Sequence, residues 1–292
     1  MLPVGYAAGV EAYQRAAAML TARDLTTHYT SGLDFFHQEF VPQLKQRIEG
    51  LTGDAWSLDD HVAFAAGSDV DFMTHLVEAV AAGQRVTLFP GDWYGFRVGC
   101  TQTERIVWDA SGDGGLACLC VPSVRNGHVT EPMLDFLNAS QACLLNLNLF
   151  PTMAAEDRRS TAQSLQTVLD KSILSISFSR GFGLTASQLG VVLVPREHPY
   201  LERFQTQWSW LTYFYNALAA RAFLEFDLDA AQRVDRLRAC WVHSWLAERR
   251  LPCVTTGSYY VKSFHVEGEL PECYTPLQRD GVVRLCFKPP QT

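Results

Sequence analysis

Apolar positions recur at two periods along this chain, and the alternation between the two periods predicts its architecture. An alanine-rich amphipathic stretch over 8–22 reads as a helix, and Phe35, Phe36, Phe40, Leu44 and Ile48 set a second over 33–50. A polar connection, 28–32, lies between them. Short apolar runs then trade places with helical patterns. Strands are expected at 62–65, 85–89, 105–108, 116–121, 142–150, 173–179 and 189–194, with helices at 68–82, 131–137 and 154–169. Strands separated by helices favour an α/β fold with a mostly parallel sheet covered on both faces. Helical stretches over 200–226 and 230–248 follow, then short strands near Val254, at 259–264 and at 282–287. This pattern divides the chain into a large α/β domain over 1–226 and a small C-terminal α+β domain over 227–292.

Composition narrows the partners. The 292 residues are 48% hydrophobic, enough for one large core or a large domain with a smaller one attached. A net charge of −7, with no basic run interleaved with aromatics, argues against nucleic acid and acidic membrane surfaces. The eight cysteines are scattered, several in apolar runs, as expected of reduced thiols in a cytoplasmic protein. Cys118 and Cys120 lack a second ligand pair at metal spacing, so no zinc site is expected. Neither a signal peptide nor a transmembrane span is expected.

Chemistry concentrates in Ser177-Phe178-Ser179-Arg180-Gly181-Phe182-Gly183-Leu184. This stretch closely resembles S-F-S-K-x-F-G-L, the segment that carries the cofactor lysine in fold-type I, pyridoxal-phosphate (PLP) aminotransferases. Arg180 stands in the lysine's place. Lysine can shed its proton and attack an aldehyde to form a Schiff base, whereas arginine stays protonated and cannot. The resemblance extends over about 28–288. Ala65-Ala66-Gly67-Ser68-Asp69 resembles the family's G-S-D turn that cups the cofactor phosphate, where glycine and a helix N-terminus suit an anion. The same residues would also make a plain helix cap. Pro90-Gly91-Asp92-Trp93-Tyr94-Gly95-Phe96 resembles the loop whose aromatic stacks on the pyridine ring, with Trp93 best aligned and Tyr94 beside it; ordinary core aromatics are the alternative. Residues 145–152, which include Asn148 and end in Phe150-Pro151-Thr152, resemble the strand leading into N-P-T-G. Val283-Arg284-Leu285 resembles the strand whose arginine binds a substrate carboxylate through its forked guanidinium, and a surface salt bridge is the alternative.

The departures from the family pattern run together. Beyond Arg180, Phe150 replaces the asparagine that bonds the cofactor's phenolic oxygen, and Gln188 aligns with the phosphate-binding arginine. The D-x-x-Y strand, whose aspartate keeps the pyridine nitrogen protonated, is expected to be missing, leaving a single helix between Pro151 and the Ser177 strand. Together these losses remove the covalent link, the ring-nitrogen partner, a hydroxyl partner and a phosphate cation, which weakens the electron-sink role of PLP. No motif supports a replacement among Lys45, Lys171, Lys262 and Lys288.

If the ancestral cleft persists, Ser68, Ser177, Ser179, Arg180 and Arg284 converge on it and suit an anionic or zwitterionic small molecule. Arg180 then stabilises developing negative charge, or instead plugs the old cofactor cavity. Asp71 and His75, at i, i+4, and the Asp59-Asp60-His61 run are weaker titratable candidates, read first as structural pairs. The resemblance implies an aminotransferase-like homodimer. The leading expectation is a PLP-independent enzyme acting on an amino-acid-derived or carboxylate small molecule in a biosynthetic pathway, with no cofactor. A non-catalytic ligand-binding or partner subunit, and an enzyme holding PLP or pyridoxamine phosphate noncovalently, stay open.

Overall fold

The computed structural model describes residues 5–22, 32–66, 73, 76–78, 80, 83–98, 100, 102–179, 181–184, 190–213, 215–265, 271–279 and 281–288. Helix α1 (Ala7–Met19) leads to a π-helical turn (Phe35–Phe40) that runs directly into α2 (Val41–Leu51). Strand β1 (His61–Ala66) follows, then β2 (Val86–Leu88), a short helix α3 (Gly95–Val98), β3 (Ile106–Trp108) and β4 (Leu116–Cys120). Helix α4 (Glu131–Ala139) connects β4 to β5 (Ala142–Asn146), and α5 (Ala155–Ser164) connects β5 to β6 (Ser172–Ser177). Strand β7 (Gly190–Pro195) completes a seven-stranded sheet of order β1-β7-β6-β5-β4-β2-β3.

From β3 to β6 all neighbours are parallel; β7 runs antiparallel to both β6 and β1. Strands β4, β5 and β6 are buried along their whole length, as central parallel strands flanked by helices must be. Register brings Ala66, Gly190 and Ser177 side by side, so the chain leaves β1, enters β7 and leaves β6 at one edge of the sheet. The expected mostly parallel α/β sheet is therefore present.

Helices α6 (Leu201–Thr212), α7 (Ala217–Glu225) and α8 (Leu228–Glu248) follow. The single helix expected over 200–226 is two helices, because Asn216 accepts the Ala219 N–H at 3.0 Å and starts a new one. Asp227 likewise accepts from Ala230 N at 2.8 Å and caps α8. The last strands, β8 (Val261–His265), β9 (Gln278–Arg279) and β10 (Val282–Cys286), form a separate antiparallel sheet of order β8-β10-β9. Val254 is exposed and belongs to no strand. The strand expected over 142–150 stops at Asn146, whose side-chain oxygen takes the Asn148 N–H at 2.9 Å and turns the chain. Most of the helix expected over 68–82 lies outside the described residues. All eight cysteines are free, and among the described residues no helix is long and apolar enough to cross a membrane.

An aromatic cluster pins the turn that follows β6. Phe178 stacks on Phe223 of α7 with centroids 4.5 Å apart, and Phe182 meets the same ring edge-on at 5.0 Å. Phe40 closes on Phe178 at 5.9 Å, and the Arg47 guanidinium lies over the Phe223 ring at 5.1 Å. Helix α1 presses on this turn so closely that a Cβ at Gly9 would stand 3.0 Å from the Gly183 carbonyl oxygen.

Phe178→Ala should cost about 3–5 kcal/mol in urea unfolding, as expected for emptying a packed aromatic site. Tyr94→Ala should stay within about 0.5 kcal/mol, because Tyr94 is 67% exposed. Buried titratable groups set a second expectation. Burial lowers the pKa of His61 and His198 to about 4, and His61 has no hydrogen-bond partner for either ring nitrogen among the described residues. Between pH 4 and 6.5 the unfolded chain binds more protons at these sites, so they add stability as pH rises. Burial raises Asp92 and Asp235 to about 6, so there the folded chain holds more protons between pH 4 and 6 and stability falls as pH rises. These slopes oppose each other. His61→Leu removes one rising contribution, and its stability relative to the parent chain should drop from pH 4 to 6 by about 2 kcal/mol in urea titrations.

Candidate functional site

Ligands in open α/β sheets bind beyond the carboxyl ends of the parallel strands. Here the ends of β4 and β5, the loop after β2 and the turn after β4 enclose a small cleft of about 50 Å³, room for a few waters. Its lining includes Trp93, Cys120, Pro122, Val124, Asn146 and Asn148.

Asp92 builds the wall that carries Trp93. Its carboxylate is buried and accepts from Cys120 N at 2.8 Å, Ser123 Oγ at 2.8 Å and Val124 N at 3.0 Å, with a further bond from Trp93 N. Burial still outweighs these bonds and raises its pKa to about 6. One side chain thereby ties the β2 loop to the end of β4 and sets the indole in the cleft. Trp93 packs over Gly95, where a Cβ would fall 2.2 Å from the ring, and meets Phe96 edge-on at 5.1 Å. Of the two aromatics that the sequence singled out, Trp93 lines the cleft, whereas Tyr94 points into solvent.

Asn148 holds the other wall. Its side-chain oxygen accepts from Ser177 N at 2.6 Å, and its backbone carbonyl accepts from Gly181 N at 2.8 Å. The two bonds hold Ser177 and Gly181, which flank position 180 in sequence. Ser177 and Ser179 share a hydroxyl–hydroxyl hydrogen bond of 2.9 Å at the same edge. Gly67, Ser68, Asp69, Arg180 and Gln188 lie outside the described residues, as do Asp71 and His75. Register nonetheless places the strand ends that they adjoin at this edge.

Arg284 of β10 lines a separate surface pocket together with Trp241, Trp245 and Lys288. Its Nη1 donates to the carbonyl of Val124, a lining residue of the cleft, at 3.3 Å. No carboxylate pairs with it among the described residues, so the surface salt bridge considered from sequence is not formed there. His61 is different: it opens β1 at the opposite edge of the sheet, where its carbonyl accepts from Lys45 at 2.7 Å. No group of three metal-ligating side chains occurs among the described residues.

The sequence reading misplaced two features. Phe150 does not face the cleft; it is buried and stacks on Trp56 with centroids 6.0 Å apart. The second concerns the end of the strand expected over 142–150. Strand β5 lies between β4 and β6, and it delivers Asn146 to the cleft floor. The motif alignment had treated 145–152 as a strand running onward to Phe150, and the turn at Asn146 moves the functional end four residues earlier. Asn146 and Cys120 were not identified from sequence. The period-two placement of Asn146 and Asn148 in the apolar run Leu144–Leu149 was the available signal.

No family model matches this chain, and no curated protein matches it. Solved structures do match across nearly its whole length. An aminotransferase from Staphylococcus aureus aligns with a TM-score of 0.67 at 13% identity, covering 97% of this chain and 86% of that one. The histidinol-phosphate aminotransferase of Clostridium acetobutylicum aligns at 0.66 and 10% identity, covering 99% and 92%. That of Sinorhizobium meliloti, solved in complex with pyridoxal-5′-phosphate, aligns at 0.59 and 17% identity, covering 89% and 72%. These alignments show that the chain has the fold of the fold-type I, PLP-dependent aminotransferases.

Proposed function

We propose that this aminotransferase-like protein works without PLP, as an enzyme that binds an amino-acid-derived carboxylate in the cleft at the ends of β4 to β6. The supporting observation is where the amines are. The chain has four lysines, and none lines the cleft. Lys45 donates to the carbonyls of His61 and Asp59, and Lys171 to those of Ser140 at 2.6 Å and Asn138 at 2.9 Å. Lys262 is fully buried on the carbonyls of Thr256 at 2.8 Å and Thr255 at 3.0 Å, and Lys288 lines a different surface pocket.

The described residues do not fit PLP. A Schiff base needs an amine in reach, and a protonated pyridine nitrogen needs a carboxylate. The cleft offers the amide of Asn146, while Asp92 spends its oxygens on its own loop. What the cleft does offer is an indole face and two amides, with the Arg284 guanidinium bonded to the carbonyl of one lining residue, Val124. In this reading Arg284 takes the ligand carboxylate, Trp93 stacks on its body, and Ser177, Ser179 and Asn146 supply polar contacts. Gly67, Ser68, Asp69 and Gln188 complete the proposed binding residues. Arg180 serves as the fixed positive charge beside the reacting group. The protein is a homodimer in a biosynthetic pathway. A non-catalytic ligand-binding subunit is the second reading. It is favoured by one observation: among the described residues, no histidine, lysine or carboxylate lines the cleft.

Purified protein incubated with PLP should develop no cofactor absorption band and no borohydride-trapped mass adduct. Arg180→Lys should not restore either. One equivalent of PLP per chain, with or without a covalent link, would overturn the proposal. Thermal-shift screening of amino acids and their 2-oxo acids should find a stabilising carboxylate, and Arg284→Ala should weaken its binding by about tenfold or more in calorimetry. Turnover of that ligand by the parent chain separates the enzyme from the binding subunit.

A further inference from the structure

A cavity of about 370 Å³ lies in the C-terminal part of the chain, between α8, the turn Glu272–Leu277 and β10. It is several times larger than the cleft at β4 and β5 and falls in the size range of small-molecule sites, about 300–1,000 Å³. The two share no described lining residue.

The walls are aromatic. Trp241 and Trp245 stand one turn apart on α8 and so share a face of the helix. Both rings meet Phe287 edge-on, with centroids 6.4 and 5.4 Å away. Phe287 is buried, and its N–H donates to the Tyr260 carbonyl at 3.0 Å, so the two indoles rest on a fixed base. Pro276 and Leu277 supply the facing wall. Trp241 and Leu277 are 39% and 40% exposed, which leaves aromatic and aliphatic surface wet inside a concavity.

Charge selects among the apolar ligands that such walls could hold. Apart from the Cys286 thiol, the ionisable side chains of the described lining are Arg284 and Lys288, both cationic. No carboxylate pairs with either among the described residues, and Arg284 is steadied by its bond to the Val124 carbonyl at 3.3 Å. Arg249 also lies over the Trp245 ring, at 4.0 Å, but Glu248 balances it at 3.5 Å. The chain as a whole carries a net charge of −7, so two unmatched cations beside an apolar pocket run against its overall sign.

We propose that this cavity is a second binding site, which takes a small aromatic carboxylate. The ring enters between the two indoles and Leu277. Lys288 meets the carboxylate, and the fixed charge of Arg284 adds to the positive potential there. An aromatic amine would meet like charge, and a carboxylate without a ring would forgo the apolar contact. The site does not depend on the reading of the cleft at β4 to β6.

Calorimetry on the full chain compares phenylacetate, phenethylamine and acetate at equal ionic strength. Phenylacetate should bind, and the other two about tenfold more weakly or worse. Cys286 is exposed on the same wall, so bound phenylacetate should slow its alkylation by iodoacetamide by about threefold or more. Cys273, exposed and outside the lining, should react at an unchanged rate. Trp241→Ala and Lys288→Met should each weaken phenylacetate binding by about fivefold or more, and Lys288→Arg should retain it. Trp93→Ala alters the cleft alone and should leave phenylacetate binding intact, which separates the two sites. The proposal fails if phenylacetate does not bind, if phenethylamine binds as well, or if Lys288→Met keeps full affinity. Loss of binding in Trp93→Ala would move the ligand to the cleft and overturn the proposal. Conversion of a dimer to a monomer by Trp241→Ala, read by light scattering, would make this face a contact between copies and overturn it as well.

Discussion

The stacking of Phe178 on Phe223 is the contact on which the candidate site rests. It fixes the residue between two serines, so Ser177 and Ser179 take positions that the helical layer dictates. Phe182, four residues on, is buried against the same ring, so the two rings anchor both ends of a short bridge. Asn148 closes that bridge from the strand side by binding Ser177 N and Gly181 at once. Hydrophobic burial thus positions the backbone, and hydrogen bonds then fix its register to β5.

The opposite wall uses a different physics. Asp92 is a buried carboxylate satisfied almost wholly by backbone N–H groups, an arrangement that holds a loop rigidly but leaves the acid little capacity for chemistry. The cleft between the walls contains neutral polar groups. Among the described residues, that lining provides no acidic, basic or imidazole group for proton transfer.

Much of this was legible in the sequence. Each strand of the large sheet followed from an apolar run, because buried parallel strands carry hydrophobic side chains on both faces. Trp93 was singled out through motif resemblance, and it lines the cleft. The failures have local causes. The apolar run 142–150 hid a turn, since only the side chain of Asn146 ends the strand. The stretch 200–226 hid a helix boundary for the same kind of reason, an asparagine cap inside a helical pattern. Asp92 sat in a quoted motif, yet nothing in its neighbours announced a buried carboxylate with donors 28 to 32 residues away. Long-range hydrogen bonds leave no periodic trace.

The tethering of the lysines bears on how the protein can be handled as a reagent. Three of the four side-chain amines are bound to backbone carbonyls, and one of those three is sealed from solvent. Lys288 alone is exposed, on the rim of an aromatic pocket away from the cleft. Acylating dyes and cross-linkers supplied in limiting amount would therefore favour Lys288 over the other three lysines, in a pocket that Arg284 also lines.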